Sequence, residues 1–326
     1  MAMAKAAAGR IVWGDGVPDT IIWGDVHIAA VIDWAGEVPD AIKLLPGTSR
    51  TDWERHRGWL SGTGLWDPVT NRRALSVHSW VLQADGMTVV VDTGAGNGKD
   101  RPEQPLFAGL STPYLENLAR AGIQPEDVDV VINTHLHADH VGWNTRRDDG
   151  HWVPTFPNAR YVLPGPDVEY WDPAGGDSPR LATANRIVFE DSVRPVIDSG
   201  QADVWSGTHQ IGRRLTLHSA PGHTPGSSVL VMSCGGQTAV FTGDLFHSPL
   251  QVIEPHWASC YDEEARAAEA SRRQVLSLAA DTAALVLPAH LPGARALLID
   301  RHAAGFQIAR WFLPNAGNSG PMTEDP

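Results

Sequence analysis

The chain has 326 residues and a formal net charge of −13 at pH 7. That balance argues against a nucleic-acid binder, which needs positive charge to displace counterions. Its hydrophobic share of 42% suits a globular protein with a sizeable core, and no apolar run approaches the length of a membrane span. Cys234 and Cys260 lie in no Cys-x-x-Cys spacing and cannot form a disulfide framework. The alanine-rich stretch Met1–Arg10 lacks the apolar core of a signal peptide. Together these features predict a cytoplasmic protein that acts without membrane or nucleic acid.

Residues 1–10 read as a loose end. Ile21–Ile32 holds two β-rich runs about Gly24-Asp25, a hairpin signal. Residues 36–75 are broken by prolines and glycines and read as irregular. The whole of 1–75 is expected to be an N-terminal extension packed on the domain that begins at residue 76, not an independent unit. Seven of the thirteen tryptophans fall in the first eighty residues. Core packing is their simplest use, with a pocket wall or a homodimer contact as the sharper alternative.

From Ser76 the pattern turns regular, and 76–313 is read as one catalytic domain. Ser76–Gln83 and Met87–Val91 predict strands joined at Ala84-Asp85-Gly86, the second running into Asp92-Thr93-Gly94. Pro113–Ala121 predicts a helix closed by Gly122. Val128–Asn133 predicts a short buried strand, and Arg160–Leu163 another. Residues 164–182 read as a lid or surface loop. Arg214–His218, Ser228–Met232 and Thr238–Thr242 predict a second sheet. Asp262–Ala279 reads as a helix with Asp262 as N-cap, Ala283–Leu287 as the last strand, and Gly293–Phe312 as a closing helix. Residues 314–326 read as a mobile polar tail.

The stretch Thr134-His135-Leu136-His137-Ala138-Asp139-His140 comes directly after the buried strand. It offers four ligands of the kind that zinc, manganese or iron take readily. On extended backbone His135, His137 and Asp139 face one way, and His140 enters from the turn. This is not the i, i+4 spacing of a helical His-Glu-x-x-His site. Three further candidates sit where predicted strands run into loops: His223 in Pro221-Gly222-His223-Thr224-Pro225-Gly226, Asp244 in Thr242-Gly243-Asp244, and His290 in Pro288-Ala289-His290. A rigid sheet presents a ligand accurately from such a position.

His-x-His-x-Asp-His, then Gly-His, Gly-Asp and a late His, resembles the signature of the metallo-β-lactamase superfamily, and in particular its methyl-parathion-hydrolase-like and lactonase-like branch. The motifs span roughly residues 76–290. The resemblance implies a four-layer αβ/βα sandwich, where composition alone gives only α/β or α+β. It implies two divalent ions, zinc first, with manganese, iron or cobalt as alternatives. His135, His137 and His223 would form one site, Asp139, His140 and His290 the other, with Asp244 bridging. Asp92 matches an Asp-Thr-Gly element and is expected to orient a ligand. The implied activity is that of a dinuclear hydrolase whose metal-bridging hydroxide attacks a small substrate, a lactone or ester first of all. Asp244, Asp139 and His247 make up the expected catalytic set. His247 stands where resembling lactonases carry tyrosine and methyl-parathion-hydrolase-like members carry histidine; its two readings are a proton donor and a loop-holding residue. Trp143, Asn144, Trp152, Phe156 and Trp171 are the expected pocket wall, which would favour a neutral, apolar substrate.

Phosphotriester cleavage and hydrolytic dehalogenation are the alternative reactions within this chemistry. A β-lactamase fits less well, because the familiar types carry cysteine or serine at the position of Asp244. An iron-dependent oxidoreductase is opposed by the retention of His137, and a nuclease by the acidic balance.

Overall fold

The computed structural model describes residues 11–12, 20–175, 182–292, 296–303 and 305–312. The loose end at 1–10 and the tail from 314 lie outside the described residues. Strands β1 (Ile11–Val12), β2 (Thr20–Trp23), β3 (Val26–Val38), β4 (Trp66–Asp67), β5 (Arg72–Ala84), β6 (Met87–Val91) and β7 (Val130–Ile132) open the first sheet. β8 (Thr145–Asp148) and β9 (His151–Pro154) form a separate hairpin, and β10 (Arg160–Pro164) and β11 (Ala202–Trp205) return to the first sheet. Its order is β1-β2-β3-β5-β6-β7-β10-β11, with β4 beside β5. The antiparallel half becomes parallel from β6 onward. β7 is buried on both faces, as a central parallel strand of Val-Val-Ile should be.

The second sheet runs in chain order: β12 (Thr208–Ile211), β13 (Leu215–Ser219), β14 (Ser228–Cys234), β15 (Gln237–Gly243), β16 (Leu285–Pro288), β17 (Ala296–His302) and β18 (Gly305–Phe312). The two sheets face each other across one apolar core, in which Val89, Ile132 and Val162 of the first share a cluster with Leu230, Phe241 and Leu287 of the second. Helices Tyr114–Arg120 and Gly165–Trp171 cover the outer face of the first sheet. The helix Ala265–Thr282 and the segment 41–66 cover that of the second. The four layers are helix, sheet, sheet, helix.

Several expectations change. In place of the helix expected over 293–312, Ala296–His302 and Gly305–Phe312 are the paired strands β17 and β18, with 293–295 and 304 outside the described residues. Their apolar spacing suited either element, and β16 offers β17 an open edge whose backbone groups must be paired. Segment 164–182 is not simply a loop. Gly165–Trp171 is a helix with proline in its first turn and Asp167 and Trp171 buried, while 176–181 lie outside the described residues. The helix expected from Asp262 begins at Ala265 and is capped by the Glu264 side chain. Residues 36–75 hold two short helices, the first closed by a capping box between Ser49 and Asp52. β3 pairs with β5 along ten residues, so the sheet runs unbroken across the expected boundary at 75/76.

Candidate metal centre

Every candidate ligand emerges where a strand ends. β7 passes into His135–His140, and the helical turn Ala138–Val141 bends Asp139 and His140 back toward the strand ends. The His223 loop joins β13 to β14, Asp244 comes after β15 and His290 after β16. The two sheets are tied together at this end. Ser228 donates to the Thr134 carbonyl from both its backbone N–H (3.0 Å) and its Oγ (2.9 Å), and the Ser76 N–H donates to the His290 carbonyl at 3.2 Å.

The side chains converge as two groups. His137 Nδ1 lies 3.1 Å from His135 Nε2 and 3.0 Å from His223 Nε2. His140 Nε2 lies 3.2 Å from His290 Nε2, with Asp139 carboxylate oxygens 3.9 and 3.5 Å from those two nitrogens. Asp244 stands between the groups and turns one oxygen to each. Its Oδ2 is 3.3 Å from His223 Nε2, and its Oδ1 is 3.2 Å from His140 Nε2 and 2.9 Å from His290 Nε2.

Outer partners fix three of the rings. His140 Nδ1 bonds Asp92 Oδ2 at 2.9 Å, His223 Nδ1 bonds Asp262 Oδ1 at 3.2 Å, and His290 Nδ1 bonds the Ser76 carbonyl at 3.0 Å. An imidazole that donates outward presents a lone pair inward. Asp92 is itself held, accepting from the Thr134 N–H (2.7 Å) and Oγ1 (2.8 Å), and its left-handed backbone (φ 55°) directs it there.

This arrangement fits divalent cations. With the Nδ1–H groups of His140 and His290 turned outward, their Nε2 atoms are both lone pairs in the neutral rings, and at 3.2 Å they repel unless something positive lies between them. Tetrahedral zinc with nitrogens at about 2.0–2.1 Å would space its ligand atoms by roughly 3.3 Å. Burial, reinforced by neighbouring imidazoles, holds His135 and His137 well below the ordinary histidine range. Burial also opposes charge on His140 and His223, yet Asp244 with Asp92 or Asp262 outweighs it, lifting His140 well up and His223 to about 9. The carboxylates draw positive charge that imidazoles at this distance cannot all carry. His137 Nε2 and His247 Nδ1 are buried without a hydrogen bond.

His247 sits against the cluster, its Nε2 3.1 Å from Asp244 Oδ2 and its backbone N–H on Gln251 Oε1. Of the five expected wall residues, Trp171 lies beside a candidate ligand, its ring 5.8 Å from that of His137. The others are placed elsewhere. Trp143 is buried, stacked on Tyr114 and bonded to Asp33; Asn144 is locked between Thr93 and Asn133. Phe156 is fully buried in the first sheet's outer core, and Trp152 packs its ring on Lys99. The short helical turn Gly142–Asn144 carries Trp143 and Asn144 away from the ligands that precede them in sequence. Two residues escaped the sequence reading. Asp262, expected as a helix cap, orients His223 instead. Asp167 accepts from the N–H groups of Leu136 and Gly226 and from Thr224 Oγ1, stapling the two ligand loops together.

The family described as the metallo-beta-lactamase superfamily matches residues 72–290. A ribonuclease of Thermus thermophilus is 26% identical over 201 residues, 57% of this chain and 39% of its own length. The N-acyl homoserine lactonase AiiB of Agrobacterium fabrum is 30% identical over 91 residues, 23% of this chain and 32% of its own. A probable metallo-hydrolase of Mycobacterium tuberculosis is 24% identical over 189 residues, 53% of this chain and 58% of its own. The chain thus spans roughly 39% to 58% of the length of the first curated relatives it matches. Among solved structures, AidC, a dizinc quorum-quenching lactonase in complex with a product, superposes with a TM-score of 0.75 at 20% identity, covering 93% of this chain and 99% of that one. The hydrolase AbOPH superposes with a TM-score of 0.74 at 22% identity, covering 97% and 100%. Both likenesses are of fold.

Proposed function

This chain belongs to the metallo-beta-lactamase superfamily, and from that premise we propose that it is a dinuclear metal-dependent hydrolase of a small ester or lactone. The observation that carries this reading is Asp244, whose two oxygens face two separate ligand groups. His135, His137 and His223 would hold one cation, and Asp139, His140 and His290 the second, with Asp244 common to both. Zinc suits the imidazole-rich set best. Two such ions supply an acidified water and polarise the carbonyl under attack.

The protein's own residues do the rest. Asp92, Asp262 and the Ser76 carbonyl orient His140, His223 and His290. Asp167 holds the His-x-His loop against the His223 loop. His247, buried at 3.1 Å from Asp244, is the side chain placed to pass a proton to a leaving group. Trp171 packs its ring beside that of His137. A lactone or ester is favoured because named relatives in sequence and in fold are N-acyl homoserine lactonases.

A metal-defined activity screen tests the reading, spanning acyl lactones, aryl esters, phosphotriesters, β-lactams and halogenated nitriles. Turnover of a lactone or ester is expected with about two equivalents of bound metal. His137→Ala and Asp244→Ala should each lower it by at least about a thousandfold. Iron-dependent oxygen uptake without hydrolysis, or wild-type-like turnover in either metal-loaded variant, would refute the assignment.

A further inference from the structure

The space beside the metal centre is lined in a way the neutral-substrate expectation did not foresee. A small notch open to solvent, with room for about one water (≈ 10 Å³), is lined by His247 and Ser248 together with Leu44, Trp53, Leu60 and Leu65. The apolar wall comes from the segment between β3 and β5, so part of the tryptophan-rich N-terminal region lines the pocket as well as filling the core. Arg73, near the start of β5, lines the same cavity. Three residues further on, Ser76 is bonded to His290 through both its N–H and its carbonyl, which fixes this stretch of strand against the site.

Arg73 is half-buried and differs from the fully buried arginines. Arg101 forms a two-pronged pair with Asp191, and Arg272 is bonded to Asp262 and to three backbone carbonyls. The adjacent Arg72 is paired with Glu37. Among the described residues, the guanidinium of Arg73 has neither a hydrogen bond nor an ion pair. Burial works against its charge, while Tyr261, Cys260, Asp244 and Asp139 all act on it in the opposite sense, and it shares the mouth of the candidate metal centre with His247. Tyr261 is the exposed ring over that mouth, 5.7 Å from the ring of His247. Arginine keeps its charge, and Arg73 is only half-buried, so its guanidinium stays open to a ligand. An oxyanion would satisfy it with two parallel N–H···O bonds.

Resting on the hydrolase reading above, we propose that Arg73, unpaired among the described residues and lining the same notch as His247, binds an oxyanion carried by the substrate, a carboxylate in the simplest case. The enzyme is then selective for acid-bearing esters or lactones over their neutral counterparts. The neutral-substrate expectation rested on five aromatic or amide side chains, four of which the structure places away from the centre.

The test pairs two probes, the mono-4-nitrophenyl ester of hexanedioic acid and its methyl-capped diester, hydrolysed by the metal-loaded protein. Wild type should favour the acid by at least about tenfold in kcat/KM, carried mainly by KM. Arg73→Met should bring that ratio to about one, and Arg73→Lys should restore part of it. A wild-type ratio near or below one, or a ratio unmoved in Arg73→Met, overturns the proposal. If neither probe nor any other ester or lactone is turned over, it is the hydrolase reading that fails. Calorimetric titration of the metal-loaded protein with hexanedioate then still decides the role of Arg73. Binding about 10- to 100-fold weaker in Arg73→Met is expected, and equal affinity in the two proteins overturns it. A melting curve for each variant confirms that both are folded.

Discussion

Asp262 does two jobs that one pair of substitutions can separate. Its Oδ1 bonds His223 Nδ1 at 3.2 Å, and its Oδ2 accepts from the Ser259 N–H at 2.9 Å and faces Arg272 Nη2 at 3.3 Å. The Asp262 and Arg272 side chains are both fully buried. Breaking such a pair from either side strands a buried charge, which costs about 3–5 kcal/mol. Arg272 keeps three carbonyl partners after the loss of Asp262, so the lower end of that range is expected. Only loss of Asp262 also frees the His223 ring, and losing such an outer partner lowers metal affinity about 10- to 100-fold. Asp262→Asn, which keeps the shape and removes the charge, should therefore weaken metal binding, while Arg272→Met should leave it near wild type. Both variants should lose stability. Urea unfolding of the metal-free proteins gives the stability term, and a competition titration against a zinc chelator gives the affinity. Equal losses of affinity in the two variants would mean that His223 responds to general loosening, and the orienting role of Asp262 would be wrong.

Three other consequences are open to measurement. Lys99 is buried against Trp152, and burial, with help from Arg101 and Arg147 and against Asp191, brings its pKa down to about 7. Between pH 7 and the ordinary lysine value of 10.5 the unfolded chain then binds more protons than the folded one. Stability of the wild type relative to Lys99→Met should rise across that window by a few kcal/mol, with the full penalty present below pH 7; a flat difference from pH 6 to 10 would refute it. His247→Phe should lower kcat by more than about tenfold with little change in bound metal, and a parallel loss of metal would reduce His247 to a supporting residue. Gly222 has φ 133°, and a Cβ there would lie 2.0 Å from the Ala268 nitrogen. Gly222→Ala should therefore push the His223 loop off the helix Ala265–Thr282, destabilising the fold by about 1–3 kcal/mol and weakening metal binding; an unchanged melting temperature would show that the loop can yield.

What could be read from the sequence was whatever is local or strictly ordered. Val128–Asn133 and the histidine run after it form a short continuous segment, so strand and ligands could be recognised together. The positions of His223, Asp244 and His290 were legible because each comes after a β-rich run at a Pro- or Gly-marked exit. What failed depended on partners far along the chain. Asp262 has acidic neighbours and a helix after it, all the signs of a cap, and nothing nearby announces His223, 39 residues back. Arg73 looks like any strand arginine until the cavity beside it is seen. Trp143 misled in the opposite way: three residues past His140, it is carried by a helical turn into contact with Asp33 and Tyr114. The hairpin β17–β18 was read as a helix because its apolar spacing is ambiguous and only the neighbouring strand decides.

The division of the ligands between the sheets shows why so much of the chain serves the site. His135, His137, Asp139 and His140 hang from the end of the first sheet, whereas His223, Asp244 and His290 come from the second. Neither sheet alone can complete either group, since each triad takes at least one histidine from the other side. The carboxylate with an oxygen toward both groups belongs to the second sheet, so its placement depends on the core between the layers and on the Ser228–Thr134 bonds at the rim. Around the His-x-His-x-Asp-His segment the backbone is pinned by short bonds: Thr93 N–H to the His140 carbonyl at 2.7 Å, and Gly142 N–H to the Gly94 carbonyl at 2.7 Å. The approach there is so close that a Cβ on Gly142 would fall 1.9 Å from the Ala95 carbonyl carbon. The precision of the candidate ligands is therefore a property of the packed pair of sheets, and the buried core that joins them shapes the candidate metal centre as much as the imidazoles do.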